Sequence, residues 1–229
     1  MKFPTLELNK YFSSQYSLEG IFSVFGDFGV GKTTFALQTA LNSLYQGNVI
    51  IYVYTKPNFP SEKILLINKH SLDILDNIIF IQTTSFTELS SIVFNFEFLI
   101  LHYLNNHKPK LEMIIIDSIT NLYRLELTKD KKEKNYNLNY KLNQMLANLA
   151  YLNQSYGIEI LVINEISRRS FDDLIIDVES GGNVMKYWIT YNLKISRTNK
   201  LNERRLLFNN LSDSFTLEFI QTIREDGFK

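Results

Sequence analysis

The sequence predicts an α/β fold, with a mostly parallel central sheet flanked by helices and an antiparallel extension at its C-terminal end. Short, nearly continuous apolar runs alternate with longer segments of helical period, which is typical of parallel strands covered on both faces. Beyond Gly182 the pattern changes to alternating apolar and polar residues, which indicates half-exposed strands. No repeat, proline-rich linker or Gly/Ser tract divides the chain, so we predict a single domain over residues 1–229.

Five apolar runs are predicted to be strands and four longer segments to be helices. The strands are Ile21–Phe25, Val49–Tyr54, Ile78–Ile81, Met113–Ile116 and Glu159–Ile163. The helices are Lys32–Tyr45, Ser61–His70, Thr87–Asn105 and Asn137–Tyr156. In the last helix apolar residues recur four and three apart over roughly three heptads, which favours a core-facing stripe over a coiled-coil partner site.

The C-terminal region predicts antiparallel strands that close one edge of the sheet. The apolar positions that alternate with polar ones are Tyr191, Leu193, Ile195, Phe215, Leu217 and Phe219. Upstream, the charged run Lys129–Lys134 predicts a solvated loop.

Composition excludes several classes of protein. The 24 Lys and Arg residues balance 24 Asp and Glu residues, which argues against coating nucleic acid or lipid by bulk charge. Without cysteine there is no disulfide framework, zinc ribbon or thiol nucleophile, and the three histidines lack metal-ligand spacing. The N-terminus carries no signal-peptide pattern, so we expect a cytoplasmic protein.

The segment Ser91–Leu104 is the most membrane-like part of the sequence. It is interrupted by Asn95, Glu97 and His102, and it is shorter than the roughly 20 apolar residues that a membrane span requires. We therefore predict a buried helix and no membrane partner.

A glycine-rich segment carries the sharpest functional signal, because it fits the pattern G-x-x-x-x-G-K-[ST] between a predicted strand and a predicted helix. Its backbone N–H groups and the helix N-terminus favour phosphate, Lys32 can reach the β- and γ-phosphates, and the Thr33 hydroxyl can ligate Mg²⁺. We therefore expect a P-loop NTPase core that binds ATP and Mg²⁺. The predicted nucleotide-binding residues are Gly26, Asp27, Phe28, Gly29, Val30, Gly31, Lys32, Thr33 and Thr34.

Asp117 ends the apolar run that begins at Met113, as the carboxylate of a Walker B strand does. An apolar strand ending in Asp is a weak signal alone, but the phosphate loop upstream strengthens it. We predict that Asp117 and Thr33 hold Mg²⁺.

Together these motifs resemble the RecA/RadA recombinase ATPase core, and within it the short archaeal RadB-like or RadC-like paralogues. The similarity covers most of the chain and implies a RecA-like fold and a role in recombination. Besides the phosphate loop, it rests on Tyr52–Ile64, Asp117–Arg124, Leu161–Glu165 and Gly181–Trp188.

Two positions depart from the family pattern. The family's catalytic glutamate falls on Lys56 and its γ-phosphate-sensing glutamine on Glu165, which leaves Lys32 and Glu165 as the catalytic candidates. An ammonium cannot act as a general base at neutral pH unless its pKa is strongly depressed, so hydrolysis should be slow or absent. We hypothesise that Lys56 and Glu165 pair with each other; the alternative is that Lys56 points to solvent.

The resemblance places two DNA-contacting loops at residues 124–139 and 167–180. The candidate DNA residues are Arg124, Arg168, Arg169 and Phe171, which offer cations beside a stacking ring. Nearby acidic residues oppose DNA contact, and a solvated loop is the alternative. A further basic group is more simply interpreted as a solvated strand face; it comprises Lys194, Arg197, Lys200, Arg204 and Arg205.

Three functions remain open on the sequence. The favoured one is a recombination accessory protein that binds ATP as a conformational ligand, contacts single-stranded DNA weakly and works with a RadA-type recombinase or another paralogue. Full recombinases of this family form filaments partly through an aromatic-x-x-Ala segment that precedes the core. The sequence shows no such segment, so we do not expect the chain to form filaments by itself. The alternatives are a KaiC-like signalling ATPase and a non-hydrolysing, nucleotide-dependent partner scaffold.

Overall fold

The computed structural model describes residues 1–14, 18–44, 48–68, 72–105, 110–128, 130–171 and 174–229. The helices are α1 (Leu6–Tyr11), α2 (Lys32–Ser43), α3 (Ser61–Ile67), α4 (Phe86–Phe94), α5 (Phe96–Asn105), α6 (Asn121–Glu126), α7 (Lys132–Tyr156) and α8 (Gly182–Trp188). The strands are β1 (Ile21–Gly26), β2 (Val49–Tyr54), β3 (Ile78–Gln82), β4 (Leu111–Asp117), β5 (Glu159–Phe171), β6 (Leu174–Glu179), β7 (Ile189–Arg197), β8 (Glu203–Asn210), β9 (Phe215–Arg224) and β10 (Gly227–Phe228). Short 3₁₀ turns span Phe12–Ser14 and Leu72–Asn77.

The strands form one sheet in the order β10-β9-β8-β7-β1-β5-β4-β2-β3, with β6 added to the end of β5. Along that order, every pair of neighbouring strands between β3 and β7 is parallel, and every pair between β7 and β10 is antiparallel. The predicted fold class is therefore confirmed. One detail was wrong: β7 pairs with β1 in parallel, so the antiparallel part begins one strand later than predicted. Alternation of apolar and polar residues reports half-exposure and does not encode strand direction.

The central strands are buried on both faces, as their continuous apolar sequences predict. In β4, Met113 and Ile115 belong to the core beneath α2, whereas Ile114 and Ile116 belong to the core beneath α7. Because the strands are parallel, all their carboxyl ends meet at one edge of the sheet. The loops at this edge carry the candidate site.

Helix α7 covers one face of the sheet with the predicted apolar stripe. It begins at Lys132, five residues before the predicted start at Asn137. The predicted solvated loop is therefore wrong for its last three residues, which form an exposed first turn. Lys and Glu are good helix formers, but solvated charges show no apolar period that would reveal the helix.

The predicted helix Thr87–Asn105 is two helices, α4 and α5, separated by a turn at Asn95. The expectation of a buried helix is correct for Phe96 and Ile100 and wrong for Phe98, which is 72% exposed. Only one side of α5 contacts the core, so the rest of its apolar surface stays exposed. In the described part of the chain, no helix is long and apolar enough to cross a membrane.

The region 167–180, expected to be a loop, mostly forms an antiparallel hairpin. Strand β5 continues beyond its pairing with β1 and β4, and residues 166–171 pair with β6. Pairing with β6 gives this end of β5 the backbone hydrogen bonds that β1 and β4 no longer supply. The second predicted DNA loop is thus a β-hairpin whose base joins the carboxyl edge of the sheet.

Candidate nucleotide-binding site

The phosphate loop connects β1 to α2, and its glycines are required by close contacts. Gly31 caps α2 with φ 108°, and a Cβ there would lie 2.6 Å from Ile223 Cδ1. A Cβ on Gly26 would lie 2.2 Å from the Ile195 carbonyl oxygen. Side chains at these positions would displace the loop from the C-terminal strands. The loop leads directly into the first turn of α2. The N–H groups of that turn have no partner within the helix, which is an arrangement suited to an anion.

Lys32 lies inside the loop and is almost completely buried. Its ammonium donates hydrogen bonds to the carbonyl oxygens of Gly26 at 2.8 Å and Asp27 at 3.0 Å. It also lies 3.4 Å from Glu165 Oε2. Burial lowers the pKa of Lys32, and the Glu165 carboxylate opposes that shift. The lysine is positioned to exchange carbonyl oxygens for phosphate oxygens.

Two arginines of the C-terminal strands hold the loop from outside. Arg197 Nη2 donates to the carbonyl oxygen of Phe28 at 2.9 Å, and Arg204 Nε donates to that of Val30 at 3.0 Å. Arg197 is exposed, as the interpretation of the basic group as a solvated strand face predicts, whereas Arg204 is only partly exposed and departs from it. Their loop partners are about 170 positions away in the chain, so no local sequence signal could have revealed the contacts.

The other three members of that basic group pair with carboxylates. Lys194 Nζ lies 3.1 Å from Asp177 Oδ2, Lys200 Nζ lies 2.8 Å from Glu203 Oε1, and Arg205 Nε lies 3.4 Å from Glu218 Oε1.

Asp117 ends β4 and is fully buried. Tyr52, a site residue that sequence reasoning missed, donates its hydroxyl to Asp117 Oδ2 at 3.1 Å. Burial raises the pKa of Asp117, whereas the Lys56 ammonium and the hydroxyls of Thr33 and Tyr52 favour the ionised form. The Asp117 carboxylate, at the end of β4, is thus within reach of Thr33 at the end of the phosphate loop.

Lys56 follows β2 and reaches across the strand ends. Its Nζ lies 3.7 Å from Glu165 Oε1 and 3.9 Å from Asp117 Oδ1. The hypothesised pair between Lys56 and Glu165 is therefore present, and the alternative in which Lys56 points to solvent is wrong. Glu165 lies between the two lysines, so the site contains two ammonium groups and two carboxylates.

The residues present fit a magnesium ion. Asp117 Oδ1 is buried and has no hydrogen-bond partner among the described residues, and the Thr33 hydroxyl lies close enough to favour the ionised carboxylate. Carboxylate and hydroxyl oxygens are ligands that Mg²⁺ accepts together with phosphate oxygens. When bound, such an ion would neutralise phosphate charge; Asp117 and Thr33 would hold it.

A family model named Rad51 matches residues 5–227 of the chain. The chain belongs to the Rad51 family. The predicted resemblance to the RecA/RadA superfamily is therefore confirmed, and the match covers the phosphate loop, the central sheet and the C-terminal strands.

Curated relatives of this Rad51-family chain include archaeal proteins named DNA repair and recombination protein RadB. The protein from Methanococcus maripaludis is 30% identical over 188 residues, which are 81% of this chain and 80% of the relative. The one from Methanocaldococcus jannaschii is 31% identical over 189 residues, 81% of each chain. The one from Methanobrevibacter smithii is 28% identical over 184 residues, 79% of this chain and 74% of the relative. The chain is RadB-like over most of its length.

The predicted DNA residues of this Rad51-family chain lie near the hairpin of β5 and β6. Arg124 Nη1 donates to the Ile166 carbonyl oxygen at 3.1 Å. Arg168 lies 3.5 Å from Asp27 and 3.6 Å from Asp177, so it joins the phosphate loop to the hairpin. The backbones of Arg169 and Phe171 lie in β5, but their side chains are outside the described part of the structure. Arg168 thus contacts the phosphate loop, whereas Arg124 contacts the backbone of the hairpin strand.

The base of the hairpin is joined to the strand that carries Glu165. Ser180 N donates to the Glu165 carbonyl oxygen at 2.8 Å, and Asn164 Nδ2 donates to the Ser180 carbonyl oxygen at 3.0 Å. Beside them Glu179 is enclosed, and burial raises its pKa to about 7. Glu179 is one of the nearby acidic residues that were expected to oppose DNA contact.

Proposed function

We propose that the chain binds ATP and Mg²⁺, hydrolyses ATP slowly or not at all, and acts as an accessory or modulator of homologous recombination and DNA repair. The single observation that carries the proposal is the position of Lys56, held between Glu165 and Asp117 beside the phosphate loop. The family membership and the names of the RadB relatives support the role in recombination.

The expectation of slow hydrolysis follows from the charges at the site. A general base must accept a proton from water, and where the family has a glutamate this chain has the Lys56 ammonium, within 4 Å of two carboxylates. The Glu165 carboxylate forms ion pairs with both Lys32 and Lys56, so it is not free to accept a proton from water. ATP would then act as a ligand that stabilises one conformation.

Contacts between the phosphate loop and the hairpin offer a route for that conformational effect. Arg168 pairs with Asp27 of the loop, and the hairpin base hydrogen-bonds to the Glu165 backbone. A phosphate that changes the position of Asp27 or Glu165 would therefore alter contacts of the hairpin.

Weak binding of single-stranded DNA is supported by cations on two neighbouring elements. Arg124 and Arg168 lie at the hairpin, and an open groove of about 600 Å³ lies at the start of α7. The lysines that line this groove are Lys131, Lys132, Lys134 and Lys141. Carboxylates of Glu126, Asp130 and Glu133 line it too, so the expected affinity is low and sensitive to salt. The proposed protein partner is a RadA-type recombinase or another paralogue.

The test is fluorescence anisotropy of labelled single-stranded DNA at fixed salt, with and without Mg·ATP. We expect ATP to change the DNA affinity of the wild type and to have no effect on Lys32→Ala. The matched control is Lys110→Ala, which removes an exposed lysine just before β4, at the opposite edge of the sheet. If DNA affinity is the same with and without Mg·ATP, and the chain binds a protein tightly, the result would support the scaffold alternative instead.

A further inference from the structure

Four charged side chains contact one another at the strand ends, and their net charge is zero. This balance suggests a specific role for Lys56. Lys32 and Lys56 are matched by Asp117 and Glu165, and the ammonium–carboxylate distances run from 3.4 to 3.9 Å. Without Lys56 the same cluster would carry one net negative charge and would repel a triphosphate. A divalent cation would then be needed to offset that repulsion.

The ammonium of Lys56 lies beside the atom that would otherwise need a cation. Asp117 Oδ1 is buried and has no hydrogen-bond partner in the described chain, and Lys56 Nζ is 3.9 Å from it. The positive charge of Lys56 is also a main cause that favours the ionised form of Asp117. Lys56 thus already compensates part of the charge that Mg²⁺ would compensate.

The backbone around Lys56 is held on both sides, so the side chain extends from a fixed point at the strand ends. Gln82 Nε2 donates to the carbonyl oxygens of Lys56 at 2.9 Å and Pro57 at 2.8 Å. Before it, Thr55 N donates to the Asp117 carbonyl oxygen at 2.8 Å, and Thr55 Oγ1 accepts from Ser118 N at 2.8 Å. These bonds tie Lys56 to the ends of β3 and β4.

We propose that Lys56 supplies at this site the positive charge that a divalent cation would supply, so that the chain binds nucleoside triphosphate almost as tightly without Mg²⁺ as with it. The inference rests on the proposed nucleotide binding and deepens it. Mg²⁺ can still bind at Asp117 and Thr33, but nucleotide affinity does not depend on it.

The experiment measures the dissociation constant of ATP labelled on the ribose with a fluorescent N-methylanthraniloyl group, in Mg²⁺ and in EDTA. For the wild type we expect the two constants to agree within about threefold. In Lys56→Gln, which removes the charge and keeps a polar side chain one atom shorter, we expect EDTA to weaken binding by about tenfold or more. Lys56→Arg should restore the wild-type ratio.

Lys110→Gln is the matched control, since it removes one lysine charge at the opposite edge of the sheet. Circular dichroism before each titration shows that the variants are folded. Wild-type binding that weakens in EDTA as much as that of Lys56→Gln would overturn the role of Lys56 and leave nucleotide binding intact. Absence of wild-type binding in both buffers would overturn the proposed function as well.

Discussion

Lys56 illustrates how one side chain changes the chemistry of a site without changing its fold. Its ammonium lies at the strand ends where a base would be expected, and it contacts the carboxylates of Asp117 and Glu165. The two departures from the family pattern lie in direct contact, which indicates that they compensate each other. Either change alone would lack this partner in a partly buried site, leaving Lys56 with Asp117 only or Glu165 with Lys32 only.

Restoring both positions should restore hydrolysis. In Lys56→Glu/Glu165→Gln a carboxylate replaces the ammonium and a neutral amide replaces Glu165, so we expect phosphate release at least about tenfold above that of wild type. The measurement is steady-state release of inorganic phosphate from Mg·ATP.

Lys56→Glu alone should remain slow, because two adjacent carboxylates would then repel the phosphates. Lys32→Ala in the double variant should abolish the signal and serves as the control for contaminating ATPase. A double variant no faster than the wild type would count against a site impaired at these two positions.

At the scale of elements, the C-terminal strands act as a support for the phosphate loop. Arg204 on β8 and Arg197 on β7 each donate to a loop carbonyl, and Ile223 on β9 packs where a Cβ of Gly31 would lie. The antiparallel extension therefore does more than close the sheet, because it determines how the loop presents its N–H groups.

Arg204→Ala should weaken nucleotide binding about three- to tenfold, because the Val30 carbonyl loses its partner and the loop becomes less ordered before binding. The adjacent Arg205→Ala is the matched control, since Arg205 lies exposed on the same strand, β8, and contacts Glu218 of the neighbouring strand β9. Titration with labelled ATP measures both. Equal affinities in the two variants would show that the support is dispensable.

The elements also show where sequence patterns stop being informative. The start of α7 was missed because its first turn is charged, and the hairpin of β5 and β6 was expected to be a loop because its pairing lies outside the central sheet. The bounds of β2 matched the prediction, because its apolar run is continuous and the whole run is buried between two parallel neighbours, β3 and β4.

At the scale of the whole molecule, the sheet separates two cores, and the site lies at the carboxyl edge between them. The single domain expected for residues 1–229 stays a prediction. Global stability should nevertheless report on one buried group near the site, Glu179, which lies at the base of the hairpin.

Glu179 should make the protein less stable as pH rises from about 4.5 towards neutrality. Its pKa is raised from an ordinary value of 4.5 to about 7 by burial, so between these values the folded state retains a proton that the unfolded state has lost. The free energy of unfolding should therefore fall as pH rises from about 4.5 to about 7, by about 2–3 kcal/mol.

Glu179→Gln, which keeps the neutral shape, should remove this dependence. It should be more stable than the wild type at pH 8 and equal to it at pH 4.5, as measured by urea unfolding at a series of pH values. The control is Glu218→Gln, a half-exposed carboxylate on β9. Parallel curves for wild type and Glu179→Gln would contradict the assignment.

The sequence by itself determined the strand and helix pattern of the central sheet, the phosphate loop and the acidic end of β4. These features depend on residues close together in the chain, namely continuous apolar runs, glycines with required conformations and a carboxylate at a strand end. The tertiary structure alone decided that β7 runs parallel to β1, that Arg197 and Arg204 hold the loop, and that Lys56 lies between Asp117 and Glu165. Such contacts join segments up to about 170 positions apart, and their energy depends on which strands become neighbours. Local patterns carry no information about that choice.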